Sequence, residues 1–235
     1  MATAPQFDAV QLQVAPHGDP APQVFAMAVP EMLLHEKQDL DWLSEGEKAA
    51  LKTMASAWRR AQFAAGRWLL HFAARSVLGD VARYRVELVD RRPFLALEGT
   101  GARVAASLSH SGERVLCAIA AAGLVGVDVE RVRARREWDR LAAFVLHPSE
   151  RSRLETLEEP ARWQGFYRVW TLKEAMAKAL GVGLALPFNR ILFSDDNRIA
   201  AAPGEAAFTG GVWRFYTPRL DAGYAAAAAW REGAS

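Results

Sequence analysis

The chain has 235 residues, of which 51% are hydrophobic and 24% charged, an ordinary globular composition with eight Trp and eleven Phe to fill a core. A net charge of only +2 gives no global reason to expect nucleic acid or an anionic membrane as partner. The single Cys117 excludes an intramolecular disulfide, and no apolar run reaches the roughly 18 residues of a membrane span. Cysteine usage favours a reducing compartment, and the first residues lack a basic start followed by an apolar stretch. The expectation is therefore a cytoplasmic protein with no membrane partner.

Residues 15–23, APHGDPAPQ, read as a surface loop. Residues 44–78 read as helix, with a capping box of Ser44 and Glu47, apolar residues Phe63, Leu70, Ala74 and Val77 at helical spacing, and Gly79 as the stop. The alternation of RYRVELVD (83–90) predicts a strand. ARVAASLSHSG and ERVLCAIAAAG predict two more, joined by a turn at Ser109 to Gly112. LVGVDVE (124–130) is the next strand. Residues 138–157 are helical, with Pro148 opening a new helix, and 162–181 form a strong helix ending at Gly181. RILFSD, RIAAA, GGVWRFYTP and YAAAAAW carry strand signals, although the alanines of the last equally suit a helix. Cys117, in VLCAIA, reads as a small core residue.

The order suggests an internal duplication. A long helix ending in Leu-Gly is twice followed by strands. Two α+β lobes, residues 1–120 and 121–235, joined near 118–126, are the economical reading, with a binding cleft between them.

Four groups of residues could carry chemistry. Asp128 and Glu130 lie two apart on a strand and share one face. They are either a solvated acidic edge or ligands for a hard divalent cation that would cancel their repulsion. In WTLKEAMAK (170–178), Glu174 and Lys178 are one helical turn apart. They form either a surface ion pair or, with Trp170 in the same stripe, a polar wall of a cleft. The turn SLSHSG (107–112) is either a capped turn or an anion cradle of hydroxyls, backbone N–H groups and an imidazole. It lacks the Gly-x-Ser-x-Gly frame of a hydrolase nucleophile elbow. Most basic residues of the first half read as solvated helix faces, but Arg67, set among small and apolar residues, suits a guanidinium facing a cleft and a phosphate.

Together these groups describe a phosphate-and-metal site, and at this point the chain resembles a known family. VGVDVE (125–130), followed 42 residues after Asp128 by WTLKEAMAK, resembles the signature pair of the 4′-phosphopantetheinyl transferases. LSHSG (108–112) is similar to the turn that precedes the first signature. The length and layout are similar to the surfactin-type (Sfp-type) class over roughly residues 44–235. The resemblance implies a pseudo-twofold α+β fold of two similar lobes with coenzyme A in the cleft, and a terminal YAAAAAW that is a strand. It implies transfer of the phosphopantetheine arm of coenzyme A to a serine of an apo acyl or peptidyl carrier protein, releasing adenosine 3′,5′-bisphosphate.

By the same resemblance, Asp128, Glu130 and Glu174 hold Mg²⁺ (Mn²⁺ as a substitute) against the pyrophosphate. Glu174, or water held by the metal, takes the proton of the carrier serine, and Lys178 stabilises the pyrophosphate. His110 contacts the 3′-phosphate, with Ser109 and Ser111 assisting. Arg67 and Arg92 are lesser candidates for phosphate or nucleotide contact, and Glu150 stands for a supporting acid near the reaction centre. Arg91-Arg92-Pro93 departs from the family's Gly-Lys-Pro, and the first forty residues match no part of the pattern. A monomer suffices, because one chain carries both lobes. RVRARR (131–136) reads either as a solvated basic loop or as a docking surface for an acidic carrier. Two rival functions are a catalytically silent carrier-binding paralogue and a metal-dependent nucleotide phosphohydrolase. Carriers of fatty acid, polyketide, nonribosomal peptide and siderophore systems are all open as partners.

Overall fold

The computed structural model describes residues 7–12, 21–34, 40–79, 83–90, 92–204, 208, 211–221 and 223–231. Most of the expected loop at 15–23 falls outside them. The first half contains β1 (Ala9–Leu12), β2 (Gln23–Ala28), α1 (Glu45–Lys52), α2 (Ala57–Leu78), β3 (Tyr84–Val89), β4 (Arg92–Leu97), β5 (Arg103–Ser111) and β6 (Arg114–Ala120). The second contains β7 (Leu124–Arg131), α3 (Trp138–Val145), α4 (Pro148–Glu155), α5 (Ala161–Leu180), β8 (Leu192–Phe193), β9 (Ile199–Ala201), β10 (Trp213–Tyr216) and β11 (Tyr224–Arg231). The fold is α+β. An antiparallel six-stranded sheet, ordered β1-β2-β6-β5-β4-β3, faces an antiparallel three-stranded sheet, ordered β10-β11-β7. Among the described residues, no helix is long and apolar enough to cross a membrane.

Strand alternation sorts the side chains into layers. Phe25, Met27, Val115, Cys117 and Ile119 face α2, where Leu69, Leu70, Ala73 and Ala74 complete one core. On the opposite face of the same strands, Val24, Ala26, Leu116 and Ala118 meet Val125, Val127, Val129, Ala226, Ala228 and Trp230 of the second sheet. The far side of that sheet, including Ala227 and Ala229, packs on Leu172, Ala175 and Met176 of α5. The layers therefore run α2, six-stranded sheet, three-stranded sheet, α5. The alanine-rich β11 is a strand because it pairs with both β10 and β7 and is covered on both faces, so burial overrides helix propensity.

Two expectations are corrected, and three strands are added. The helix over 44–78 is two helices, because Thr53 closes α1 and Ser56 opens α2 by accepting the N–H of Arg59. Arg60 holds the break by donating to the carbonyls of Met54 and Ala55 at 2.8 and 3.0 Å. The hairpin turn sits at Gly112 and Glu113, so Ser109, His110 and Ser111 belong to β5 itself, paired with Leu116, Val115 and Arg114. Strands β1, β2 and β4 carry no expectation from the sequence, yet β2 lies inside the sheet between β1 and β6.

Gly126 explains how β7 meets α5. A Cβ there would lie 1.9 Å from the carbonyl oxygen of Ala175 and 2.6 Å from the amide nitrogen of Ala179. Helix backbone rests directly on strand backbone, and only a residue without a side chain allows it. Gly126→Ala should therefore push α5 off β7 and lower stability by about 3 kcal/mol in urea unfolding. A midpoint unchanged from the parent would refute the contact.

Candidate active site

Gly126, Asp128 and Glu130 occupy alternate positions of β7 and face α5, opposite to Val125, Val127 and Val129. On α5, Trp170, Glu174 and Lys178 form a half-buried stripe at i, i+4 and i+8 among buried neighbours. Asp128 is almost fully buried. Lys178 Nζ donates to its Oδ1 at 2.7 Å and to Ser109 Oγ at 2.7 Å, so the ammonium goes to the strand acid instead of forming a surface pair with Glu174. Asp128 Oδ2 is buried without a hydrogen-bond partner. Burial, followed by the charges of Asp128 and Glu130, pushes Glu174 up to about 7. Burial also raises Glu130, with Asp128 adding to the rise and Ser111 and Lys178 opposing it.

Strand β5 runs along the free edge of β7. Ser107, Ser109 and Ser111 accept the N–H groups of Val127, Val129 and Arg131 at 3.0, 3.3 and 3.1 Å, so hydroxyls replace the missing ladder partner. Two of them also donate to the acids: Ser109 to Asp128 Oδ1 at 2.8 Å and Ser111 to Glu130 Oε2 at 2.7 Å. The predicted phosphate-side serines are thus engaged with the carboxylates of β7.

His110 points to the other face of β5 and is exposed. Lost hydration and the nearby cations Lys178 and Arg59 hold its pKa below the usual histidine range. Arg92 lies beside the C-terminal end of α5: a Cβ on Gly181 would lie 3.1 Å from its Cγ. It pairs with Asp90 at 3.5 Å, and its Nε is buried without a hydrogen-bond partner. Arg67 pairs with Glu47 at 3.3 Å and stacks over Phe63, among residues of α1 and α2 rather than the acids of β7.

Glu150 needs a correction. It is fully buried, and both oxygens are engaged: Oε2 by Lys173 Nζ at 2.5 Å and the His147 N–H at 2.9 Å, and Oε1 by the Phe193 N–H at 2.8 Å. Lys173 also donates to the Val145 carbonyl at 2.8 Å, while burial pushes its pKa down to about 8 against the pull of Glu150. The pair braces α5 against α4 and β8, on another face of the helix from Glu174 and Lys178.

Carboxylate oxygens are the donor type that a hard divalent cation takes, and Oδ2 of Asp128 is buried and unpartnered. Among the described residues, no group of three His, Cys, Asp or Glu is gathered closely enough to hold a metal ion, and the Lys178 ammonium stands beside Asp128.

The bond of Ser107 to the β7 backbone and the buried Lys173 carry no expectation from the sequence. The period of two in Ser-Leu-Ser-His-Ser signals the first, and the apolar face of Val169, Lys173, Met176 and Ala177 signals the second.

A family model for the 4′-phosphopantetheinyl transferase superfamily (ACPS) matches residues 124–229. The chain is 30% identical over 145 residues to "4′-phosphopantetheinyl transferase HetI" of Nostoc sp. (strain PCC 7120 / SAG 25.82 / UTEX 2576), covering 61% of each protein. It is 32% identical over 123 residues to "4′-phosphopantetheinyl transferase AcpT" of Salmonella typhimurium, covering 52% of this chain and 60% of that one. The chain thus spans about three fifths of the length of these two relatives. Among solved structures, a holo-(acyl-carrier-protein) synthase from Bacillus anthracis in complex with CoA (3′,5′-ADP) aligns at 18% identity and a TM-score of 0.39, covering 47% of this chain and 96% of that one. Residues 124–229, which carry the acids of β7 and the Glu174–Lys178 turn of α5, are thus similar to the 4′-phosphopantetheinyl transferase superfamily.

Proposed function

We propose that this protein is an Sfp-type 4′-phosphopantetheinyl transferase that moves the phosphopantetheine arm of coenzyme A onto a serine of an apo acyl or peptidyl carrier protein. The observation that carries the reading is the wall formed by Asp128, Glu130, Glu174 and Lys178, with one carboxylate oxygen buried and unpartnered. The two lobes, 1–120 and 121–235, would bind coenzyme A between them in a cytoplasmic monomer.

Asp128, Glu130 and Glu174 would hold Mg²⁺, which when bound neutralises charge on the pyrophosphate oxygens. Glu174, or water held by the metal, accepts the proton of the carrier serine. The serine oxygen forms a bond to the phosphorus next to the pantetheine arm, the anhydride bond breaks, and adenosine 3′,5′-bisphosphate leaves. Lys178, one turn from Glu174, stabilises the charge growing on the leaving phosphate. His110 meets the 3′-phosphate, and Arg92 extends the same electropositive side.

The test is to incubate the protein with coenzyme A, Mg²⁺ and a panel of apo carriers and weigh each carrier. A gain equal to one phosphopantetheine arm supports the transferase. No gain with coenzyme A hydrolysed identifies a phosphohydrolase, and no gain with coenzyme A intact but carrier retained identifies a silent binding protein.

The exposed Arg131, Arg133 and Arg136 follow the acid strand directly, and Arg135 donates to Tyr167 Oη at 3.0 Å. Complementary charge suits them to an acidic carrier. Reversing charge at Arg133, Arg135 and Arg136 should raise KM for the carrier about tenfold and leave KM for coenzyme A within about twofold. Steady-state kinetics with each substrate varied in turn makes the check, and an unchanged carrier KM refutes the surface.

A further inference from the structure

The turn between β5 and β6 is held by three other segments, and one of them comes from the second half of the chain. From α2, the buried Gln62 donates through Nε2 to the Gly112 carbonyl at 2.9 Å. Just after β2, the Val29 N–H donates to the Glu113 carbonyl at 2.9 Å. At the start of β11, Tyr224 Oη accepts the Glu113 N–H at 2.9 Å. Arg114, the next residue, pairs with Asp221, and its guanidinium lies 5.5 Å from the centre of the Tyr224 ring. The fit at the tip is close. Gly112 has a φ of +51°, and a Cβ there would lie 2.6 Å from Tyr224 Oη.

Tyr224 also stands at the end of the acid strand. It pairs in register with Arg131 of β7, next to the pair of Ala225 with Glu130, and its ring packs in the apolar layer between the two sheets. His110 precedes Gly112 by two residues on β5. One hydroxyl therefore bridges the strand end that carries His110 and the sheet that carries Asp128 and Glu130.

We propose that Tyr224 is a positioning residue whose hydroxyl latches the β5–β6 turn to the second sheet and thereby keeps the coenzyme A site assembled. The proposal rests on the reading of His110 as a phosphate contact. A site whose parts are in place for only a fraction of the time loses apparent affinity by that fraction. Without the hydroxyl, the Glu113 N–H has no acceptor, the turn moves more freely against β7, and coenzyme A has to restore its position on binding. Once bound, the substrate itself holds the turn, so the chemical step keeps its rate.

The test compares Tyr224→Phe with Tyr84→Phe in the full chain. Tyr224→Phe removes the hydroxyl but keeps the ring in the apolar layer. Tyr84→Phe makes the same chemical change on the edge strand β3, where the hydroxyl meets His71 Nδ1 at 2.6 Å. One hydrogen bond shifts such an equilibrium by about fivefold. Tyr224→Phe should weaken coenzyme A binding about fivefold in calorimetric titration and speed hydrogen exchange at the Glu113 amide by a similar factor. Its kcat for transfer should stay within about twofold of the parent, and Tyr84→Phe should leave all three quantities within about twofold. Unchanged coenzyme A affinity in Tyr224→Phe overturns the proposal. An equal loss in Tyr84→Phe also overturns it, because the effect would then be one of general stability. So does a fall in kcat that matches the fall in affinity, which would put the hydroxyl in the chemical step. If Tyr224→Phe does not fold, Gly112→Ala, whose methyl displaces the same hydroxyl, takes its place. A parent that binds no coenzyme A overturns the substrate reading and this proposal together. A parent that binds coenzyme A but transfers nothing removes the transferase reading, and the affinity and exchange comparisons still decide the latch.

Discussion

Glu174→Gln is expected to lower phosphopantetheine transfer by about 10³-fold while leaving coenzyme A binding within a few-fold. The amide keeps the size of the side chain and the packing of α5, but it loses the negative charge and the ability to accept a proton. In the proposed mechanism both functions matter at this position. Glu174 lies within the field of Asp128 and Glu130, and the repulsion among them raises its pKa to about 7 after burial has begun the rise. A carboxylate with that pKa exchanges its proton readily at neutral pH, as a general base requires. Single-turnover transfer to a carrier, paired with calorimetric titration of coenzyme A, separates the two effects. Residual activity within tenfold of the parent would remove Glu174 from the chemistry. A loss of coenzyme A binding equal to the loss of rate would make it a binding group instead.

Lys173→Met should have the largest effect on stability, about 3–5 kcal/mol, lowering the melting temperature by roughly 10 °C. Lys173 and Glu150 are both fully buried, and Glu150 also holds the amides of His147 and Phe193. Removing the ammonium leaves a carboxylate in the core with no counter-charge, which costs far more than the lost packing. The double variant Lys173→Met/Glu150→Leu should recover part of the loss, because the stranded charge is gone. The recovery should be incomplete, since the two amides lose their acceptor. Urea unfolding of both single variants and the double variant closes the cycle. Additive losses would show that the two side chains are not coupled. Because Lys173 precedes Glu174 on α5, the single variant should also lower transfer at temperatures where it remains folded.

Much of the site was legible as spacing. Asp128 and Glu130 two apart on a strand must share a face, and Glu174 and Lys178 four apart on a helix must share another. Those relations are local, set by the backbone period, and the structure keeps both. The partners were not legible. Lys178 was one turn from Glu174, yet its ammonium lies on Asp128, because Gly126 lets α5 settle onto β7 and brings the buried acid closer than solvent. The resemblance gives Glu150 a supporting place near the reaction centre, yet it sits in the core, because its own helix start and the amide of Phe193 surround it.

By itself the sequence determined the chain order of its principal helices and strands and the faces on which the chemistry-bearing residues lie, because these follow from period, caps and turns within a few residues. Only the tertiary structure decided that Tyr224–Arg231 is a strand, that residues 53–56 part α1 from α2, and that serines of β5 hydrogen-bond to the acids of β7. In each case the deciding interaction comes from a segment distant in sequence, or from a choice between two locally acceptable conformations that packing alone resolves.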